Sequence, residues 1–309
     1  MNAAARIGLG TAQFGADYGI SNRLGRPAEP EVEAILNFAA EMGVGVIDIA
    51  PSYGEAETLI GRYRPRDHRF RIISKTPVIA ESVIEKWHAT VVVDSIARSC
   101  ERLQVAKLDG ILLHHAADLK KPGREHLIDG VREAQLRGLV ERVGVSVYDA
   151  DELALAESLS EPDLVQLPAN ALDRRLIAAG WLERLKSSRT EIHARSAFLQ
   201  GLLLMRPAEL PEYFSPIQPQ LARLQADWLA GGLSPLAGCL AFMLAQQQID
   251  SVIVGVNAVA ELAGIKKVLI QISAMQFDGP AIGDIDSRYL DPRRWPAAAR
   301  HELSMEQRL

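Results

Sequence analysis

One recurrence constrains the fold of this chain more than any other feature. Across 309 residues, a short apolar run is followed by a longer segment of helical period, eight times. The runs cover 6–10, 44–50, 70–75, 108–114, 143–147, 163–167, 191–197 and 251–255. They are near-continuous in Val, Ile and Leu rather than alternating, which suits strands buried on both faces of a parallel sheet. Between the first two runs, Val32, Ile35, Leu36 and Ala39 fall on one helical face, and Gly43 is placed to end that helix. Val92, Ile96, Cys100 and Leu103 share another such face. Asp149 and Glu152 resemble a capping box opening a helix through Leu159. Further helices are expected at 55–62, 124–136 and 175–186. After a long loop over 199–218 come two more, the second opened by Ser234 and Pro235. Asn257 is expected to cap the last helix, through Ile270.

Eight strand–helix units in one chain of this length predict an α/β fold, a closed (β/α)8 TIM barrel. No linker or low-complexity segment divides it, so one barrel domain is expected over 1–309, with 277–309 as a C-terminal loop and tail. The competing arrangement is an open, doubly wound sheet. It would want G-x-G-x-x-G after the first strand, and Gly8-Leu-Gly10-Thr-Ala-Gln does not complete that pattern.

With 48% apolar and 24% charged residues, there is ample material for a core, so disorder is excluded as the main state. The net charge of −5 gives no reason to expect nucleic acid as a partner. The longest apolar stretch, 236–245, is too short to cross a bilayer. Two cysteines and no apolar leader point to a cytoplasmic protein.

In a barrel, chemistry concentrates at the C-terminal ends of the strands. Asp48, Lys75 and His114 end the second, third and fourth runs, and Tyr53 lies five residues beyond Asp48. Ser146, Gln166, Arg195 and Ser196 end later ones. Each has an ordinary structural explanation: a helix cap for Asp48, a snorkelling Lys75, a rim Tyr53, a hydrogen-bonded His114. Bringing Asp, Tyr, Lys and His to one end of successive strands nevertheless costs desolvation unless they pair. His114 and His115 are neighbours on a strand and cannot both face one ion, so no metal site is expected.

Taken together, Gly8-Leu-Gly-Thr11, Asp48-Ile-Ala-Pro-Ser-Tyr53-Gly-Glu, Ile73-Ser-Lys75, Asp109-Gly-Ile-Leu-Leu-His114, Gly144-Val-Ser146, Val165-Gln166, Arg195-Ser196 and Val252-Ile-Val-Gly255 resemble the aldo-keto reductases over nearly the whole chain. The resemblance implies an oxidoreductase that moves a hydride between a nicotinamide cofactor and an aldehyde, ketone or matching alcohol. Its tetrad maps to Asp48, Tyr53, Lys75 and His114, with Tyr53 as general acid and base. Lys75 would favour the phenolate, Asp48 would hold Lys75 charged, and burial would oppose both.

The cofactor side is implied at Gly10, Thr11, Ser146, Gln166, Arg195, Ser196, Gly255, Asn257 and Glu261. Ser146 and Gln166 match carboxamide-holding positions, and Asn170 follows. Val147 replaces the asparagine that usually follows the serine. Arg195 stands where many members stack an aromatic on the nicotinamide; pairing with an interior carboxylate is its other reading. NADP(H) is the family default, but Glu261 occupies a turn that often carries a basic residue, which keeps NAD(H) open. The N-terminal hairpin common in the family is short or absent. Arg288, Tyr289, Arg293, Arg294 and Trp295 form a basic-aromatic cluster that either closes over an anionic or sugar-like substrate or docks on the surface. A monomer or weak homodimer is expected. A Schiff-base aldolase using Lys75 and a non-catalytic, cofactor-binding regulatory subunit are the alternatives.

Overall fold

The computed structural model describes residues 3–159, 161–273, 275, 277 and 279–296. Eight parallel strands close into a barrel in sequence order: β1 (Ile7–Gly10), β2 (Val46–Asp48), β3 (Arg71–Lys75), β4 (Leu108–Leu113), β5 (Val140–Ser146), β6 (Leu164–Pro168), β7 (Glu191–Arg195) and β8 (Ser251–Gly255). β1 completes the ring by pairing with both β2 and β8. Every apolar run of the sequence falls on one of these strands, and β6 runs one residue past its run, to Pro168. β5 begins at Val140, before the apolar run at 143–147, because exposed Glu141 and half-buried Arg142 separate buried Val140 from that run.

A short helix, α1 (Ala12–Gly15), follows β1, and α2 (Glu29–Met42) covers the strands beyond it. α2 buries Val32, Ile35, Leu36 and Ala39, each Leu or Ile contributing about 1.5–3 kcal/mol by leaving water. Gly43 ends it at φ +84°, where its N–H reaches the Ala39 and Ala40 carbonyls. α3 (Ala56–Tyr63), α4 (Lys86–Leu103), α5 (Arg124–Leu136) and α6 (Ala150–Leu159) continue the outer ring. Trp87 and His88 belong to the first turn of α4, where His88 and Glu85 form a reciprocal cap.

The helix expected at 175–186 is instead α7 (Arg175–Ala178) and α8 (Trp181–Ser187), broken at Gly180 in the left-handed region. The long loop after β7 carries three 3-10 turns and is pinned by buried Leu202, Leu203, Phe214 and Ile217. α9 (Gln218–Ala230) and α10 (Pro235–Ala245) follow, and the Ser234 hydroxyl accepts the Ala237 N–H as an N-cap should. α11 (Val259–Ile272) and the short α12 (Ser287–Leu290) end the described chain. Among the described residues, no single helix is long and apolar enough to cross a membrane.

Asn257 does not cap α11. Its side-chain amide donates to the Gly25 carbonyl at 2.7 Å. The opening N–H groups are taken by two carboxylates instead: Glu31 of α2 accepts from Val259, and Glu261 reaches back to accept from Asn257, both at 2.7 Å.

Inside the barrel the side chains form layers. The middle layer is a small apolar cluster, Val46, Ile73, Leu112, Leu164 and Ile253, separate from the larger core between strands and helices. Below it, Glu191 bridges Arg71 (2.9 Å), Arg142 and His193 (2.7 Å) across three strands. Burial works to raise the Glu191 pKa, but hydrogen bonds from His193 and Arg71 hold it well below the ordinary carboxylate range. The described chain enters β1 through a 3-10 turn, Ala3–Arg6, whose Arg6 guanidinium donates to the Leu244, Gln246 and Ile249 carbonyls.

Candidate active site

The upper layer of the barrel is polar. Asp48 and Lys75 end adjacent strands and are 6% and 3% exposed, so their charges must meet each other. The Lys75 ammonium donates to both Asp48 oxygens, at 2.8 and 2.9 Å, and to the Ile49 carbonyl at 3.0 Å. Burial opposes that ammonium, yet Asp48 and Tyr53 hold its pKa above the usual lysine value. Asp48 is therefore not a helix cap, and Lys75 does not snorkel outward.

Tyr53 stands in the loop between β2 and α3, its half-buried ring 5.0 Å from the Lys75 nitrogen. Two backbone bonds fix the turn, Tyr53 N–H to Ala50 at 3.0 Å and Ala56 N–H to Tyr53 at 3.1 Å. Against this turn lies Gly15 of α1, where only glycine fits. Burial raises the Tyr53 pKa, the Lys75 charge pulls it down, and Asp48 pushes it back up; the net position is above 10.0. Desolvation is the largest of these influences and outweighs the pull of the Lys75 ammonium. The phenol is held protonated.

His114 directly follows β4, with its N–H on the Thr76 hydroxyl at 3.1 Å. Its imidazole pKa is lowered to about 3 by burial first, then by Lys75 and His115, so the ring is neutral at physiological pH. Nδ1 is buried with no partner. A proton is better placed on Nε2, which is not buried in this way, making His114 a hydrogen-bond donor into the mouth of the barrel. Lys75, Asp48 and Arg195 all lie within electrostatic range of it. Asp48, Tyr53, Lys75 and His114 thus share one site.

Of the residues anticipated around a cofactor, Ser146 and Gln166 are brought together at neighbouring positions of β5 and β6. Gln166 already donates to Asp48 Oδ1 at 2.6 Å. Thr11 does something else: its hydroxyl donates to the Asp48 carbonyl at 2.8 Å, tying β1 to β2. Gly10 lies beneath the Ile253 side chain, and Gly255 beneath the amide of Gln13, which would stand 2.2 Å from an added Cβ. Ser196 adopts a left-handed φ of 65°, and its carbonyl accepts the Asn170 amide at 3.1 Å. Asn170 also accepts the Leu172 and Asp173 N–H groups, which makes it the buried anchor of that loop.

Arg195 has no carboxylate partner among the described residues, so its ion-pair reading fails. Its guanidinium donates to the Val147 carbonyl at 2.7 Å and stacks on Tyr148, 3.8 Å from the ring centroid. Arg293 stacks on the same ring at 3.5 Å. The charges of the C-terminal cluster are matched locally: Arg293 to Asp291 and Glu152, Arg288 to Asp286, and Arg294 to the Ser287 hydroxyl. Trp295 is buried and donates to Tyr289. The cluster is docked; residues 297–309 of the expected tail lie outside the described residues.

Sequence reasoning missed Tyr18, Tyr148, Gln13 and Glu31. Tyr18 lies within electrostatic range of Tyr53, Tyr148 and Arg195, and burial first, then those phenols, pushes its pKa up to about 12. No spacing or motif marks these four; only the closed barrel brings them to the mouth.

Comparison with known proteins adds a family. The model of the aldo/keto reductase family matches residues 6–279. D-arabinose 1-dehydrogenase of Saccharomyces cerevisiae is 32% identical over 154 residues, covering 46% of this chain and 45% of that protein. In that match the chain spans less than half the relative's length. An uncharacterized oxidoreductase of Bacillus subtilis, YqkF, is 22% identical over 84% of this chain and 85% of its own. The barrel superposes on an aldo-keto reductase from Bacillus halodurans with a TM-score of 0.69, at 18% identity over 88% of each chain. It superposes on a glycerol dehydrogenase from Gluconobacter oxydans with a TM-score of 0.63, at 17% identity over 90% and 95%.

Proposed function

Because this chain belongs to the aldo/keto reductase family, we propose that it is an NAD(P)(H)-dependent oxidoreductase interconverting an aldehyde or ketone with its alcohol, with Asp48, Tyr53, Lys75 and His114 as the reacting constellation. The observation that carries this reading is the buried Asp48–Lys75 pair beneath a protonated Tyr53, with neutral His114 beside it. The nicotinamide, when bound, supplies the hydride. The protein's own part is to deliver a proton and to stabilise the oxygen that gains charge. His114 Nε2–H donates to the carbonyl oxygen and fixes its angle. Tyr53 gives that oxygen its phenolic proton, and the Lys75 ammonium, kept charged by Asp48, stabilises the phenolate left behind. In the alcohol-oxidising direction the same phenolate takes the proton back.

The residues suit a carboxamide better than a ribose phosphate. The Ser146 hydroxyl and the Gln166 carbonyl oxygen are both without partners among the described residues, at paired positions of β5 and β6. By contrast, the chain entering α11 already has the Glu31 and Glu261 carboxylates on the Val259 and Asn257 N–H groups. A third anion there would meet two negative charges, so NAD(H) is favoured over NADP(H). Lys266 is engaged on the Phe38 ring, 5.2 Å away. Arg195 and Ser196 flank the pocket and complete the cofactor side.

For the substrate, the mouth offers Tyr18, whose hydroxyl accepts the Gln200 amide at 3.4 Å, with Tyr148 and the edge of Arg195 nearby, a lining suited to a polyhydroxylated carbonyl compound. The likeness to D-arabinose 1-dehydrogenase supports the same class. The aldolase alternative is disfavoured, since a Schiff-base lysine must be a free amine and Asp48 holds Lys75 protonated. The test is a panel of aldoses and simple aldehydes with NADH and NADPH, followed by nicotinamide absorbance. Tyr53→Phe should abolish turnover while cofactor binding, read by fluorescence, persists. Turnover at the wild-type rate in that variant overturns the reading.

A further inference from the structure

Gln166 is 1% exposed in the middle of β6, and its amide nitrogen donates to Asp48 Oδ1 at 2.6 Å. The same oxygen accepts Lys75 Nζ at 2.8 Å. A carboxylate can only accept, so this contact fixes the orientation of the amide, nitrogen toward Asp48 and carbonyl oxygen away. The three side chains come from β2, β3 and β6, so the contact spans the barrel interior rather than neighbouring strands.

Asp48 therefore has two donors, one ionic and one neutral, and their balance matters to Tyr53. Hydrogen bonds to an ionised acceptor are short and strong, and they stabilise its charge. With the amide in place, Asp48 draws less on the Lys75 proton, and more of the ammonium's field is left for the phenol beside it. Without the amide, Asp48 leans wholly on Lys75.

We propose that Gln166 is a positioning residue for proton transfer: its amide fixes Asp48 and shares its charge, so that Lys75 is free to act on Tyr53. The proposal rests on the reading of Tyr53 as the proton donor. It gives Gln166 a task in the protein alone, before any cofactor is bound.

The test uses two variants that remove the donor, Gln166→Met, of similar length, and Gln166→Leu, with a shorter, branched side chain. The full chain is labelled with fluorotyrosine, whose phenol is more acidic, and the Tyr53 resonance is assigned by its loss in Tyr53→Phe. Fluorine NMR then follows the titration of Tyr53 without cofactor. Both variants should raise the Tyr53 midpoint by about one unit. At saturating cofactor, kcat for carbonyl reduction should fall by up to about tenfold with a parallel shift of its pH limb. An unchanged midpoint in the Met variant, even with weakened cofactor binding, overturns the proposal and leaves Gln166 a ligand contact only. If the Met variant does not fold, an unchanged midpoint in the Leu variant has the same force. The titration needs no turnover: a protein inactive on every carbonyl would sink the proposed function while still deciding the role of Gln166.

Discussion

A Cβ built on Gly15 would stand 1.7 Å from the carbonyl oxygen of Tyr53. The backbone of the tyrosine turn thus rests directly on α1, with no side chain between them. Gly15→Ala must push that turn away. It should cost about 1–3 kcal/mol in stability, and it should lower kcat more than it raises KM, since it moves Tyr53 relative to Lys75. Melting curves alongside steady-state kinetics check both parts.

Lys75 and Asp48 should behave as a unit. Lys75→Met leaves a buried carboxylate without its cation and should destabilise the protein by about 3–5 kcal/mol. Adding Asp48→Asn should restore most of that stability, because neither charge is then left alone, yet turnover should stay lost. Urea unfolding of both single variants and the double variant gives the coupling, and recovered activity in the double variant would refute the role given to Lys75.

His114 makes stability depend on pH in a defined window. Its folded pKa is lowered to about 3, while an unfolded histidine titrates near about 6.5. Between those values the unfolded chain binds a proton that the folded chain does not, so stability falls as pH drops through the window and is fully present above it. His114→Gln should flatten this part of the pH–stability curve. Denaturant midpoints measured across the window test the difference.

The two carboxylates at the start of α11 predict a cofactor preference. NADH should bind more tightly than NADPH, and Glu31→Gln with Glu261→Gln together should narrow the ratio by about tenfold or more. Fluorescence titration with each nucleotide reads this without any substrate. A wild-type protein that prefers NADPH would contradict the assignment.

How much of this was legible in the sequence differs by range. The strands were visible because a buried parallel strand has no polar face to interrupt its apolar run. Asp48, Tyr53, Lys75 and His114 were visible because each is set by its distance from a strand end. What escaped notice depends on distant chain meeting. Glu31 caps a helix that begins 228 positions later, and no local pattern announces that, so Asn257 looked like the cap. Arg195 looked like a stacking partner for a ligand, and Tyr148 takes one of its faces instead. The net ionisation of Tyr53 was not readable either. The charges around it follow from spacing, but the desolvation that outweighs them follows from the packed loops above the barrel.

Arg71, Arg142 and His193, all gathered on the one Glu191 carboxylate, close the lower end of the barrel, and the five-residue apolar layer above them closes it again. No molecule passes through. Two reactants that share the chamber over Asp48 and Lys75 must then use the same entrance, and the one seated deeper must arrive first and depart last. Product-inhibition patterns of a catalyst built this way carry a compulsory order, imposed by the sealed end opposite the chemistry.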